Sequence, residues 1–261
     1  MADKPNFILV PEPSPDEGRA GRTFLALLDR LRGKVLSAVA ALPSHAAWAD
    51  PQQTAGTEVP GRCRLVFGFD ATASREPAWA TARQVTDALV RALPGELDVA
   101  LAVHGGSTLH TFTEFTANPN TLRDRAAGIT CRAGSTRLLS ILSRALATPS
   151  VRVVTYIGDV YEESPGRGRK LADEMGRRGV RLFVLHDVAD WNARRDAELF
   201  LDLARRTGGC VLPFDAQAPE RLRDLLAAVA VFAVGGAELL HEKRRELPGA
   251  VVLLQHLARR T

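Results

Sequence analysis

A carboxylate and two hydroxyls follow one apolar run at alternate positions, as Asp70, Thr72 and Ser74 in the stretch LVFGFDATASREPAW. In an extended segment that leaves a strand, alternate side chains point to the same side, so three oxygen atoms can face one point. Oxygen donors suit hard cations such as Mg²⁺, Mn²⁺ or Ca²⁺, whereas zinc and copper sites use histidine or cysteine. The spacing therefore predicts a cation site at this segment.

Two later segments offer oxygen donors in a similar setting. Thr136 lies in CRAGSTRLL, directly before a predicted helix, and Asp159 lies in YIGDVYEES, directly after a predicted strand. We expect both side chains to join Asp70, Thr72 and Ser74, which gives one five-residue set of oxygen ligands. Arg75 and Glu76 flank the first segment and are predicted to be exposed, where they could contact a partner.

Short apolar runs and amphipathic segments alternate after residue 62 and predict an α/β fold. The predicted strands cover 64–69, 97–104, 108–115, 151–157, 180–186 and 210–214. The predicted helices cover 77–93, 121–127, 137–147, 168–178, 193–206 and 220–234. This alternation indicates a doubly wound, mainly parallel sheet with helices on both faces, and the strand at 108–115 forms one antiparallel edge. Ligands bind beyond the carboxyl ends of such strands, which is where the oxygen donors are expected.

The chain is predicted to have three parts. Residues 1–62 form an N-terminal extension, with an amphipathic helix over 21–42 and a polar linker after it; residues 63–236 form the α/β domain; residues 237–261 form a helical tail. The apolar face of the helix, carried by Phe24, Leu28, Leu31 and Val35, is expected to pack on the domain or on a second chain.

Composition narrows the classes of partner and compartment. The net charge is +4, but the arginines are scattered beside acids and no aromatic residues interleave with them, which does not favour nucleic-acid binding. The three cysteines are far apart and no CxxC occurs, so reduced thiols are expected. The N-terminus lacks the apolar core of a signal peptide, and the longest apolar stretch, from Leu225, is too short to span a bilayer. We therefore expect a cytoplasmic protein without a membrane partner.

Other interpretations of the first segment remain open. Ser74 could serve only as the N-cap of the following helix, which would make the domain a metal-independent scaffold. An aspartate after a first buried strand is also where haloacid-dehalogenase-like phosphohydrolases keep their nucleophile. Those enzymes need a second carboxylate two residues later as general acid, and this position holds Thr72, which cannot do that work near neutral pH.

The strand followed by Asp70-x-Thr72-x-Ser74, with Thr136 in GSTRLL and Asp159 in YIGD, resembles the metal-ion-dependent adhesion site (MIDAS) of von Willebrand factor A domains. LARRTGGCVLPFD also resembles the closing helix, turn and strand of that fold. The resemblance covers 64–236, and FDATASREP and GDVYEE most resemble bacterial intracellular members.

The resemblance implies a non-enzymatic, metal-dependent protein-interaction module. Thr72, Ser74 and Thr136 would bind the cation directly, Asp70 and Asp159 would hold it through water, and an aspartate or glutamate of a partner would complete its coordination. Related intracellular domains often work beside AAA+ ATPases or chaperone systems, so such a partner is expected. The sequence departs from the family where Thr72 replaces serine, Ser135 replaces glycine, and Val160 follows Asp159; an inward-turned Glu162 or Glu163 would weaken partner capture.

Overall fold

A six-stranded sheet lies at the centre of the computed structural model, which describes residues 62–93, 95–187 and 191–258. Its strands are β1 (Cys63–Asp70), β2 (Leu97–Gly105), β3 (Thr108–Phe112), β4 (Val151–Gly158), β5 (Arg181–Asp187) and β6 (Cys210–Phe214). The spatial order is β3-β2-β1-β4-β5-β6, and β3 alone among them runs antiparallel, against β2. The predicted doubly wound sheet with one antiparallel edge strand is therefore confirmed.

Helices cover both faces of this sheet. They are α1 (Glu76–Val85), α2 (Ala88–Arg91), α3 (Pro119–Ala127), α4 (Leu138–Leu146), α5 (Pro165–Arg177), α6 (Trp191–Thr207), α7 (Pro219–Lys243) and α8 (Pro248–Ala258). One apolar cluster joins the sheet to α1, α2, α3, α7 and α8, and a second joins its other face to α4, α5 and α6. Because both faces are covered, β1, β4 and β5 are almost entirely buried and form nearly continuous apolar runs, as parallel central strands do.

Two elements differ from their predicted extent near the site. The helix predicted over 77–93 is two helices, α1 and α2, and the Thr86 hydroxyl at the break donates to the carbonyl of Ala82 at 2.8 Å, a side-chain bond that competes with regular helix formation. The edge strand predicted over 108–115 ends at Phe112. Trp79 of α1 packs on Phe69 of β1 with ring centroids 4.4 Å apart, which fixes α1 against the end of the first strand.

The helix predicted over 220–234 continues to Lys243 through a kink at Gly236, where φ is +63°. With 25 residues and an apolar window, α7 is long and apolar enough to cross a membrane, but 67% of that window is buried inside the domain. Its contacts with β1, α1 and α2 are those of a core helix. Beyond the kink, Leu239, Leu240 and Leu253 join the same apolar cluster, so the segment predicted as a tail packs on the domain as far as Leu257.

The amphipathic helix over 21–42 and the linker after it lie outside the described residues. The boundaries of the three predicted parts of the chain stay predictions.

Candidate functional site

The first loop leaves β1 at Asp70 and enters a short 3-10 turn, Ala73–Arg75, before α1. Oδ1 of Asp70 accepts a hydrogen bond from the Thr72 amide at 3.0 Å, which bends the chain back over the end of the strand. The hydroxyl oxygens of Thr72 and Ser74 are then 3.4 Å apart. The alternate spacing therefore brings the two hydroxyls together, as the sequence predicts.

These hydroxyls are not occupied by helix capping. Thr72 is the N-cap of the 3-10 turn and makes no capping hydrogen bond with its side chain, and the N-cap of α1 is Arg75, not Ser74. The interpretation of Ser74 as an N-cap is therefore wrong, because the intervening 3-10 turn moves the start of α1 away from it. Neither hydroxyl is therefore used to cap a helix.

Asp70 is a buried carboxylate with one unused oxygen. Its residue is 1% exposed, and Oδ2 has no hydrogen-bond partner among the described residues. Burial raises the pKa of Asp70 to about 6, with nearby Asp159 adding to the rise, while the Thr72 amide and Arg75 oppose it. An orphaned carboxylate oxygen beside two hydroxyls is the arrangement that a bound cation would stabilise.

His104 lies beside Asp70, on the neighbouring strand β2. Its Nε2 is 2.8 Å from the Tyr156 hydroxyl, and its Nδ1 is 3.7 Å from Oδ1 of Asp70. Burial lowers the pKa of His104 to about 3, so the ring is neutral and the contact with Asp70 is not an ion pair. The distance to Asp70 also exceeds that of a hydrogen bond. His104 thus packs beside the site and does not neutralise the negative charge of Asp70.

The second loop is held against the turn between β2 and β3. The Ser135 amide donates to the Ser107 hydroxyl at 3.0 Å, and Nε of Arg137 donates to the Ser107 carbonyl at 2.8 Å. Gly134 has φ +150°, and a Cβ at this position would lie 2.5 Å from backbone atoms of Gly106 and Ser107. Only glycine fits this approach, which delivers Thr136 to the carboxyl edge of the sheet.

The third loop follows β4 and carries Asp159. Oδ2 of this carboxylate accepts a hydrogen bond from Arg75 at 3.2 Å, and the side chains are only 7% and 11% exposed for Arg75 and Asp159 respectively. The backbone carbonyl of Asp159 is 3.0 Å from Nε2 of His186, which fixes the loop to the end of β5. The expectation that Arg75 is exposed is wrong, because the 3-10 turn directs it inward while Ser74 and Glu76 on either side remain exposed.

Two glutamates of the third loop bind the second loop and the helix α4 that follows it. The Glu162 carboxylate accepts a hydrogen bond from the Thr136 amide at 2.7 Å, and the Glu162 amide donates to the Thr136 hydroxyl at 3.1 Å. Glu163 accepts from the Leu139 amide at 2.8 Å, at the N-terminus of α4. This reciprocal pairing of Glu162 with Thr136 has no sequence signal beyond the YEES motif itself.

The predicted site residues line one cleft of about 420 Å³ at the carboxyl edge of the sheet. Its lining includes all five of them, Asp70, Thr72, Ser74, Thr136 and Asp159, together with Glu162. Of these, Asp70, Thr136 and Asp159 are buried while Glu162 is exposed at the rim. The structure therefore places the predicted residues together, and their binding of a cation stays a prediction.

The donor set fits a hard divalent cation. The cleft offers hydroxyl and carboxylate oxygens, with no histidine or cysteine in its lining. Within the described ranges, no three His, Cys, Asp or Glu side chains are close enough to hold a metal by themselves. A cation in this cleft would therefore need oxygen ligands besides the carboxylates, and the lining offers the hydroxyls of Thr72, Ser74 and Thr136.

Comparison with known proteins gives a fold but no closer relative. No family model and no curated protein matches the sequence. Among solved structures, a von Willebrand factor type A protein from Catenulispora acidiphila superposes with a TM-score of 0.54 at 14% identity, covering 66% of this chain and 43% of that one. The pilus adhesin SpaC from Lactobacillus rhamnosus GG gives 0.52 at 10%, covering 66% of this chain and 30% of the adhesin.

A third structure has metal in its site. Proximal thread matrix protein 1 from the mussel byssus, solved with a zinc-occupied MIDAS motif, superposes with a TM-score of 0.52 at 13% identity, covering 65% of this chain and 46% of that one. The chain spans less than half the length of each of these three proteins. The chain thus has the doubly wound α/β fold of von Willebrand factor A domains.

Proposed function

We propose that this chain is a non-enzymatic protein-interaction module whose cleft binds a divalent cation, Mg²⁺ or else Mn²⁺ or Ca²⁺. A partner protein would then present an aspartate or glutamate to the loaded cleft. The chain shares the von Willebrand factor A fold with these solved structures, and this likeness supports the general class of protein-interaction module.

One observation carries the metal dependence. Oδ2 of Asp70 is buried without a hydrogen-bond partner in the described part of the chain, and Asp70 lines the same cleft as Thr72 and Ser74, whose hydroxyls cap no helix. A lone buried carboxylate is unfavourable, since desolvation is not offset by any contact to that oxygen. A dication at this position would offset it.

The chain's residues would divide the work as follows. Thr72, Ser74 and Thr136 would supply neutral oxygen ligands, Asp70 and Asp159 would supply negative charge, and Arg75 would hold Asp159 in place. When bound, the cation would supply a Lewis-acidic position that accepts an external carboxylate. Because the direct ligands are neutral, this position would keep its attraction for a negatively charged partner.

Thermal unfolding with chelator and then with each cation tests the proposal. A bound cation stabilises the native state by RT ln(1 + [L]/Kd), which is about 2.7 kcal/mol at a hundredfold excess over Kd. We expect a higher melting temperature with at least one of Mg²⁺, Mn²⁺ and Ca²⁺. If none of the three shifts the transition, the module does not bind a cation.

The Arg75–Asp159 ion pair favours a second candidate, a metal-independent scaffold. In that case the guanidinium supplies the positive charge that a cation would otherwise bring to Asp159. A partner pull-down with and without chelator separates the two candidates, since chelator releases the partner only from a metal-dependent module.

The setting in which the module works is proposed from the sequence alone. We propose a cytoplasmic, bacterial protein whose partner belongs to an AAA+ ATPase or chaperone system. Proteins recovered in the metal-dependent fraction of the pull-down would test this assignment directly.

A further inference from the structure

Glu162 adds a third carboxylate to the cleft, at its exposed rim. Its Oε2 is fixed by the 2.7 Å hydrogen bond from the Thr136 amide, while the described residues offer no hydrogen-bond donor to its Oε1. A long, exposed glutamate would otherwise sample many rotamers. Here the bond to the second loop holds a negative charge beside Thr136, one of the proposed ligands.

The charges around the cleft show what this carboxylate does. Among the described residues that line the cleft and their ion-pair partners, Asp70, Asp159 and Glu162 are negative and Arg75 is positive, so the formal charges sum to −2, equal and opposite to that of a dication. Without Glu162, the loaded cleft would retain one positive charge with which to attract a partner's carboxylate. With Glu162 in place, that residual charge is cancelled from within the chain.

We propose that Glu162 is a built-in competitor of the partner's carboxylate: it strengthens cation binding and weakens capture of an external carboxylate. The inference rests on the proposed function, because it concerns the same loaded cleft. A partner would have to neutralise or displace the Glu162 carboxylate, which the hydrogen bond from the Thr136 amide holds in place. Glu163, adjacent in sequence, binds the N-terminus of α4 instead and provides a matched control.

The test compares Glu162→Gln and Glu163→Gln with the wild type in Mn²⁺ titrations followed by electron paramagnetic resonance. Glutamine keeps an oxygen that can accept from the Thr136 amide, so the tie between the loops is retained and only the charge is lost. We expect Glu162→Gln to weaken Mn²⁺ binding about tenfold. Glu163→Gln should bind Mn²⁺ as the wild type does.

Acetate then serves as the probe carboxylate on the Mn²⁺-loaded proteins, with water-proton relaxation as the readout. We expect acetate to displace bound water from Glu162→Gln at lower concentration than from the wild type, although the variant holds Mn²⁺ less tightly. A mere structural clamp would lower both affinities or neither, and that result would overturn the inference.

The outcomes for the two proposals are distinct. A wild type that binds no Mn²⁺ overturns the proposed function together with this inference. A wild type that binds Mn²⁺ and a Glu162→Gln variant with unchanged affinities overturn this inference alone. Should Glu162→Gln fail to fold in chelator, Glu162→Ala also removes the charge, and the same pair of opposite shifts is required of it.

Discussion

The guanidinium of Arg75 and the carboxylate of Asp159 form a buried ion pair, with Nη1 and Oδ2 3.2 Å apart. Arg75 belongs to the turn after β1 and Asp159 to the loop after β4, so the pair joins the two neighbouring strands at their carboxyl ends. It places a permanent positive charge at the edge of a cleft proposed to bind a cation.

Replacing Arg75 with methionine should unfold the metal-free protein more easily, because Asp159 would remain buried without its partner. Breaking a buried pair in this way costs about 3 kcal/mol. Urea denaturation in chelator measures the loss, and Mg²⁺ should restore more stability to Arg75→Met than it adds to the wild type.

The matched control is Arg169→Met, which removes a surface pair with Asp202 at 2.7 Å whose side chains are 47% and 32% exposed. Solvent screens that pair, so its loss should change stability by less than about 1 kcal/mol. Equal losses for the two variants would show that the Arg75–Asp159 pair contributes nothing special to the fold.

Asp70→Asn should uncouple stability from the cation. Asparagine can still accept the hydrogen bond from the Thr72 amide, and it removes a desolvated charge, so the metal-free variant should be at least as stable as the wild type at neutral pH. In melts with millimolar Mg²⁺, Mn²⁺ or Ca²⁺, the wild type should gain stability and the variant should not. A variant that responds to the cation as strongly as the wild type would show that Asp70 does not hold it.

The stability of the metal-free protein should depend on pH through Asp70. Burial raises its pKa from 3.8 to about 6, so the native state keeps a proton that the unfolded state has lost. The resulting stabilisation is fully present below pH 3.8 and is lost as the pH rises through about 6. A shift of this size corresponds to about 3 kcal/mol.

His104 has the opposite dependence, because burial lowers its pKa to about 3 and its contribution is lost as the pH falls. The measurement is therefore the difference in unfolding free energy between wild type and Asp70→Asn in chelator, from pH 4 to pH 7, in which the His104 contribution cancels. The unfolding free energy of the wild type should fall relative to that of Asp70→Asn as the pH rises. A flat difference would mean that Asp70 is as well solvated in the folded chain as in the unfolded one.

Gly134→Ala should displace the second loop. The added Cβ would clash with Gly106 and Ser107 and would require a backbone conformation that alanine avoids, so we expect a loss of several kcal/mol and weaker cation binding through Thr136. Gly166→Ala is the control, since a Cβ there meets nothing within 4 Å and the residue lies in the first turn of α5. That variant should be as stable as the wild type or slightly more stable, and it should bind the cation unchanged.

The sequence predicts the sheet well because its strands are short apolar runs between clear breaks. The last strand was predicted with the bounds of β6, and the second differs from β2 by one residue. Parallel strands share one carboxyl edge, so the placement of Asp70 and Asp159 in one cleft follows from the fold, whereas Thr136 also depends on the close approach at Gly134.

Other structural features cannot be predicted from the sequence pattern. The break between α1 and α2 depends on the Thr86 side chain bonding to Ala82, in a segment whose apolar spacing is continuous. The burial of Arg75 depends on three residues of 3-10 turn, and the His104–Tyr156 contact joins strands that flank β1 on either side. The His104–Tyr156 contact depends on tertiary packing, and the other two features depend on local side-chain and backbone geometry that the spacing of apolar residues does not encode.

The position of β1 between β2 and β4 also has a kinetic consequence. β1 and β4 are neighbours in the sheet but are separated along the chain by β2, β3 and the four helices α1 to α4, so their pairing closes a long loop. The cleft does not exist until that pairing is complete, which places its assembly late on the folding route. A bound cation should therefore slow the unfolding rate and leave the refolding rate almost unchanged.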